Sequence, residues 1–347
     1  MPIKLILNIL GFYAIASSTT PKHFLNTLII HWGGGDKDKR GYCFHILTDG
    51  LSHNTQEKLL KFEEELNKIY PCKFEIYTLD DSEFAGLPKL NNNYLTYFRL
   101  KMASVLPKEI EKCLYLDVDM LCVSDIREIF EIDIQQKVCG AVIDAHFMPF
   151  RSAIGKKGDD FSLCIDTYFN AGLLLIDLKK WREENIEEQC FTFLKSYIPQ
   201  FHDQDTLNAI LSKRVYLLDL KWNFMVGHLE NDGHSFREEK KPYTLNFTKQ
   251  EYQNAKQEAK ILHFLTGDKP WNSHFYQDNN TALLMKQWRD IALQIPIFCD
   301  ELQADLSQAH LNALKPKYHS GWRKYFHKLK VLLKCARFQI LLALRLK

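Results

Sequence analysis

Short apolar runs and helical patterns alternate along the first 144 residues, and that alternation limits the possible folds more than any other feature of the chain. The apolar runs fall at residues 3–7, 42–47, 74–77, 113–116 and 138–143; amphipathic patterns around 21–31, 56–69, 95–105 and 126–130 separate them. Such alternation predicts a mainly parallel, doubly wound α/β sheet flanked by helices. Ligands of these sheets bind at the carboxyl ends of the strands. The first run has a rival reading, because Lys4, the apolar stretch after it and Ala14-Ile-Ala16 resemble a secretory signal. Asn8 and Gly11 interrupt the stretch, and Thr19 or Thr20 with Pro21 starts a helical pattern, so a first strand is the preferred reading.

The run at 113–116 ends in Asp117-Val-Asp119. On an extended backbone, residues i and i+2 share a face. Asp117 and Asp119 are therefore expected to hold one divalent cation through hard oxygens suited to Mg²⁺ or Mn²⁺. An Asp-x-Asp is more often a turn, so the surrounding chain has to supply the context. Downstream, Tyr168-Phe-Asn170-Ala-Gly172-Leu-Leu-Leu-Ile-Asp177 reads as a second buried strand entered through small residues, followed by a helix over 178–197. His202-Asp-Gln-Asp-Thr-Leu-Asn208 is a helix start with Asp203 as cap, and it carries more polar groups than capping needs. His263 closes another apolar run that leads into a turn ending at Lys269-Pro-Trp271. Residues 146–160 and 224–259 lack periodicity and read as loops. Gly33-Gly-Gly-Asp36 is a plain turn, since no Lys-Ser/Thr and no helix start follow as a phosphate loop requires.

Charge divides the chain unevenly. Of the 45 basic residues ten lie beyond Asp305, where no acid occurs, leaving 35 against 43 acidic residues in the body. At 322–346 the aromatic and leucine residues recur at helical spacing among Lys and Arg, a pattern suited to adsorption on an anionic bilayer surface. An acidic body argues against nucleic acid as a partner. Nine cysteines without any Cys-x-x-Cys fit reduced thiols in the cytoplasm rather than a disulfide framework.

Taken together, the ordered motifs resemble glycosyltransferase family 8, especially the bacterial lipopolysaccharide α-galactosyl- and α-glucosyltransferases. They are Phe44-His-Ile-Leu-Thr-Asp-Gly50, Tyr97-Phe-Arg99-Leu-Lys101, Tyr115-Leu-Asp-Val-Asp119, Phe169 to Asp177 with Trp181, Asp203-Gln-Asp205, and His263-Phe to Lys269-Pro-Trp271, spread over roughly residues 1–290. The resemblance implies a GT-A-type fold over 1–294, with 295–347 as a helical extension bearing the basic tail. It implies retaining transfer of galactose or glucose from a UDP-sugar to a saccharide acceptor on a lipid carrier or lipid A core. Mn²⁺, with Mg²⁺ as second choice, would sit on Asp117, Asp119 and His263. Donor contacts would come from Tyr13, Arg99, Val118, Asp144, Asn170, Asp203, Gln204, Gly267 and Lys269. Gln204 would lie near the anomeric carbon, and Asp203 is the reserve nucleophile for a double displacement. Acceptor contacts are expected in the two loops, and the enzyme on the inner face of the cytoplasmic membrane.

Two stretches depart from the family pattern. Leu10, Gly11 and Phe12 stand where relatives carry acidic and Asn residues that meet uridine and ribose, and Thr266 precedes Gly267 where a Gly is usual. A non-catalytic sugar-nucleotide or membrane-surface binding protein is therefore the alternative. A haloacid-dehalogenase-type phosphatase also uses Asp-x-Asp, but continues Gly-Thr where this chain has Met120-Leu121.

Overall fold

The computed structural model describes residues 27–33, 41–90, 93–146, 150–164, 167–229, 235–239, 244–265, 269–271, 280–295 and a few positions up to 303. In chain order the strands are β1 (Thr27–Gly33), β2 (Gly41–Thr48), β3 (Cys72–Thr78), β4 (Lys112–Leu116), β5 (Met120–Cys122), β6 (Cys139–Ala141) and β7 (Phe150–Gly155). Then come β8 (Phe161–Cys164), β9 (Leu173–Asp177), β10 (Tyr197–Pro199), β11 (Val215–Leu217), β12 (Phe224–Met225) and β13 (Ile261–His263). The longer helices are α1 (His53–Asn67), α2 (Leu178–Glu183), α3 (Ile186–Ser196), α4 (His202–Leu211), α5 (Lys249–Glu258) and α6 (Asn280–Ala292). Among the described residues no helix is long and apolar enough to cross a membrane.

The main sheet has the order β11-β6-β9-β4-β1-β2-β3. Strands β2, β3, β4, β6 and β11 point one way, as the expected parallel sheet requires. Strands β1 and β9 run against them, so β2·β3 and β6·β11 are the parallel pairs and the other four pairings are antiparallel. The sheet is mixed, a correction to the mainly parallel expectation. Side chains alternate across it: Leu114 and Leu116 of β4 enter one core, Cys113 and Tyr115 the other, and Leu173 and Leu175 of β9 face away from Leu174 and Ile176. Burial of both faces explains why these strands read as continuous apolar runs. Five carboxyl ends and two amino ends thus share one edge, and the polar residues collect there.

Arg182 anchors the segment that leads into β4. Its Nε donates to Ala103 O, Nη1 to Lys108 O and Ile110 O, and Nη2 to Leu106 O and Pro107 O, at 2.9–3.1 Å. All five guanidinium hydrogens are used. Arg182→Ala is expected to cost about 3 kcal/mol in urea unfolding, since each charge-assisted bond is worth about 1.5–3 kcal/mol and water replaces part of the loss. A change below about 0.5 kcal/mol, ordinary for a surface site, would show that the clamp bears no load.

Other expectations are corrected. The helix expected over 21–31 is corrected from Thr27 on, because Thr27–Gly33 is a strand, pairing on both sides overriding the helical spacing; residues 21–26 lie outside the described residues. The strand at 3–7 and the tail at 322–346 lie outside the described residues. Asn185, at φ 52°, breaks the helix over 178–197 into α2 and α3. Residues 150–164 form the hairpin β7·β8 rather than a loop. Within 224–259 lies α5, started by a capping box in which the Thr248 side chain accepts from Glu251 N and the Glu251 carboxylate from Thr248 N.

Candidate active site

Asp117 and Asp119 meet by a route other than the i, i+2 face of one strand. Strand β4 ends at Leu116, and Asp117-Val118-Asp119 is the turn by which the chain leaves the main sheet and enters β5 of a second sheet, ordered β12-β13-β5. Asp117 N donates to Gly172 O at 2.7 Å, while Phe264 N donates to Asp119 O at 3.0 Å. Each aspartate is thereby tied to a different sheet. Register places His263 opposite Met120, so its ring returns to the turn.

The three side chains form a cluster in which one ligand atom from each lies within 4.8 Å of the others. His263 Nε2 is 3.2 Å from Asp119 Oδ1 and 3.7 Å from Asp117 Oδ2. The outer carboxylate oxygens are already engaged: Asp117 Oδ1 accepts from Arg99 Nη2 at 2.8 Å and from the Tyr115 hydroxyl, and Asp119 Oδ2 pairs with Lys269 Nζ. His263 is fully buried and its Nε2 has no hydrogen-bond partner. Two carboxylate oxygens and an orphaned imidazole nitrogen facing one another are a poor arrangement alone and a fitting donor set for a divalent cation. Burial pushes the Asp119 carboxyl up, but the neighbouring His263 and Lys269 outweigh it and hold it well below the usual carboxylate range.

Gly172 leaves the room. A Cβ there would stand 2.3 Å from His263 Cε1 and 2.9 Å from Asp117 Oδ2. Its neighbours continue the site: Arg99 donates to Ala171 O at 2.9 Å, approaches Asp203 Oδ2 at 3.2 Å and stacks 4.3 Å over the Tyr115 ring. Burial disfavours the guanidinium charge, yet Asp117 and Asp203 outweigh it and raise its pKa. Burial raises the Asp203 carboxyl, and Arg99 and Thr96 offset part of that shift.

The sequence-predicted residues gather here with few exceptions. Asp144, just past β6, accepts at Oδ2 from Gln204 Nε2 at 3.2 Å and Asn170 Nδ2 at 3.3 Å, and Gln204 Oε1 accepts from Ala171 N at 3.0 Å. Val118 sits in the turn, half-buried. Asp203 does not cap α4, because it lies inside the helix and its carboxylate goes to Thr96 and Arg99. The polar crowding of α4 divides into two tasks. Gln204 and Asp203 line the site, whereas Asp205 accepts from the Tyr168 hydroxyl and Phe201 N, and Asn208 brackets the Phe169 backbone. Tyr13 and Gly267 lie outside the described residues, as do Leu10, Gly11, Phe12 and Thr266.

A cavity of about 630 Å³ opens beside the cluster, lined among others by Asp117, Gly172, Asp203, Gln204, His146 and His228. His146 comes from the stretch after Asp144 and His228 from the helical turn after β12, with ring centroids 4.9 Å apart. The two regions left unread in the sequence each supply one wall. Asn223, buried beside His263, was missed as well; its signal was an Asn set in the apolar run Trp222-Asn-Phe-Met-Val226.

The fold is that of a GT-A glycosyltransferase, and the comparison with solved structures agrees. The chain superposes on the galactosyltransferase LgtC, solved with donor and acceptor sugar analogs, with a TM-score of 0.56 at 21% identity, covering 87% of this chain and 96% of that one. Residues 26–274 match Glycosyl transferase family 8, and the chain belongs to that family. It is 32% identical to General stress protein A of Bacillus subtilis, over 69% of this chain and 81% of that protein. It is 26% identical to the lipopolysaccharide 1,3-galactosyltransferase of Salmonella typhimurium, over 76% and 75%. The family match starts after Leu10, Gly11 and Phe12.

Proposed function

We propose that this glycosyltransferase is a retaining hexosyltransferase, moving galactose or glucose from a UDP-sugar to a saccharide acceptor during lipopolysaccharide or lipooligosaccharide biosynthesis. The observation that carries the reading is the convergence of Asp117 Oδ2, Asp119 Oδ1 and the orphaned His263 Nε2 at one strand-end edge. Support for the acceptor class comes from the Salmonella galactosyltransferase and from the lipopolysaccharide 1,2-glucosyltransferase of Escherichia coli, to which the chain is 25% identical over 67% of its length. A bound Mn²⁺, or Mg²⁺, would neutralise charge developing on the departing diphosphate. Lys269, next to Asp119, adds a point charge where the leaving group forms. Arg99 balances Asp117 and Asp203 so that neither repels the diphosphate at full strength. Tyr13 would stack on uracil.

Retention is best served here by front-face displacement. The bond from the anomeric carbon to the phosphate oxygen breaks, the acceptor oxygen bonds on the same face, and its proton passes to the departing phosphate. Gln204, held by Asp144 and Ala171 N, presents an amide to the positive sugar, with Asn170 beside it. Asp203 is committed to Arg99 and Thr96, which makes it a poor nucleophile. Acceptor recognition falls to the wall built by His146 and His228.

The reading is tested by incubating the protein and Mn²⁺ with UDP-galactose or UDP-glucose and a truncated core oligosaccharide, following UDP release and the anomeric configuration of the product by NMR. An α-linked product supports it. UDP binding without any transfer would put the non-catalytic alternative ahead. For the extension at 295–347 we propose peripheral attachment to the inner face of the cytoplasmic membrane. Truncation after about Pro316 is expected to release the protein from anionic vesicles while transfer to a soluble acceptor continues, each surface-bound cation being worth about 1 kcal/mol. Undiminished vesicle binding by the truncated chain would sink that role for the tail.

A further inference from the structure

We propose that Asn223 is the positioning residue that makes His263 a metal ligand, by fixing which ring nitrogen keeps its lone pair. The inference rests on the metal-site reading above, and it follows from a chain of donors and acceptors with one fixed end. Gly172 N is a main-chain N–H and can only donate; it lies 3.0 Å from Asn170 Oδ1, so that atom accepts. Asn223 offers its amide to the same oxygen at 2.9 Å, so the atom there is Nδ2. The other end of the Asn223 amide, Oδ1, lies 2.9 Å from His263 Nδ1, which must therefore carry the hydrogen. In the neutral ring Nε2 is then bare, and it is this atom that faces Asp117 Oδ2 and Asp119 Oδ1.

The opposite orientation has a different outcome. Turning the Asn223 amide over would set two carbonyl oxygens against each other, both buried, and would call for a lone pair on Nδ1. Nε2 would then hold the hydrogen and donate it to Asp119, a histidine that excludes a cation instead of binding one. Asn223 and His263 are fully buried and Asn170 is 2% exposed, so solvent does not supply the missing partners. Asn170 also reaches Asp144 and Gln204, so the chain that orients the metal ligand continues to the residues facing the donor sugar. An outer partner that orients a ligating histidine is worth about 10- to 100-fold in metal affinity.

The test uses the full chain and two variants, Asn223→Leu, which removes both amide ends, and Asn223→Asp, whose buried neutral carboxyl keeps a hydroxyl donor towards Asn170 Oδ1 and an acceptor for His263 Nδ1–H. Mn²⁺ titration calorimetry without nucleotide gives the affinity. Long-range ¹⁵N–¹H NMR of histidine-labelled, metal-free protein gives the tautomer, with His263 assigned by its loss in His263→Gln. Expected is the Nδ1–H form in wild type and Asn223→Asp, a shift towards Nε2–H in Asn223→Leu, and Mn²⁺ affinity about 10- to 100-fold weaker in Asn223→Leu alone. Wild-type tautomer and affinity in Asn223→Leu would overturn the proposal, as would equal losses in both variants, which would reduce Asn223 to packing. If Asn223→Leu fails to fold, Asn223→Ser carries the same comparison. The two readings fail separately: a wild type that binds no Mn²⁺ defeats the metal site, while an Nε2–H form in metal-free wild type defeats the role of Asn223.

Discussion

Asp119→Asn is expected to abolish Mn²⁺-dependent UDP binding while leaving the chain folded. The substitution keeps the shape of the side chain and removes the oxygen charge that faces His263 Nε2 at 3.2 Å. Loss of a direct ligand should exceed the about 10- to 100-fold typical of an outer partner. Calorimetry of UDP with and without Mn²⁺ reads it directly, and binding that stays Mn²⁺-dependent in the variant would remove Asp119 from the site. The same variant has a signature without metal. Because the folded carboxyl lies below its unfolded value, its pairing with Lys269 contributes stability that is present above about pH 4 and lost as the pH falls further. Asp119→Asn lacks that carboxyl, so its urea stability should fall less steeply on acidification than wild type.

Gly172→Ala is the second large effect, and it is steric. The new methyl group would need space already taken by His263 Cε1 at 2.3 Å, with Asp117 Oδ2 and Asn170 Oδ1 at 2.9 and 3.0 Å. Retreat is blocked, since Gly172 N is bonded to Asn170 and Gly172 O to Asp117 N. A destabilisation of about 1–3 kcal/mol is expected from overpacking, with the cation site distorted on two of its three sides. Thermal melting and Mn²⁺ titration measure the two parts, and wild-type Mn²⁺ affinity in this variant would show that the cradle has room to spare.

How much of this was legible in the sequence depended on the reach of the forces involved. Strands β2, β4 and β9 were readable because burial on both faces writes a local apolar run. Strand β1 was not, since its local spacing is helical and one of its two antiparallel partners, β4, lies far along the chain. Asp117, Asp119 and His263 were found through motif order, although their convergence comes from a turn between two sheets. The role of Asn223, marked in the sequence only as an Asn in an apolar run, stayed hidden for a related reason: its importance lies in donating to Asn170 and accepting from His263, residues 53 and 40 positions away. Helix α5 differs, because Thr248 and Glu251 spell its capping box locally and the polar character of its surface masked it.

The crossing of Asp117-Val118-Asp119 from one sheet to the other has a mechanical side. Asp117 is pinned to the strand that begins after Gly172, and Asp119 to the backbone that follows His263. A cation gripping Asp117, Asp119 and His263 would act as a removable staple across that seam, closing a loop of 144 residues between positions 119 and 263. Its loss would loosen the join rather than only empty a site. Amide hydrogen exchange along β9 and β13, in different sheets, should therefore slow together on adding Mn²⁺, the two sheets breathing as one body while the staple holds.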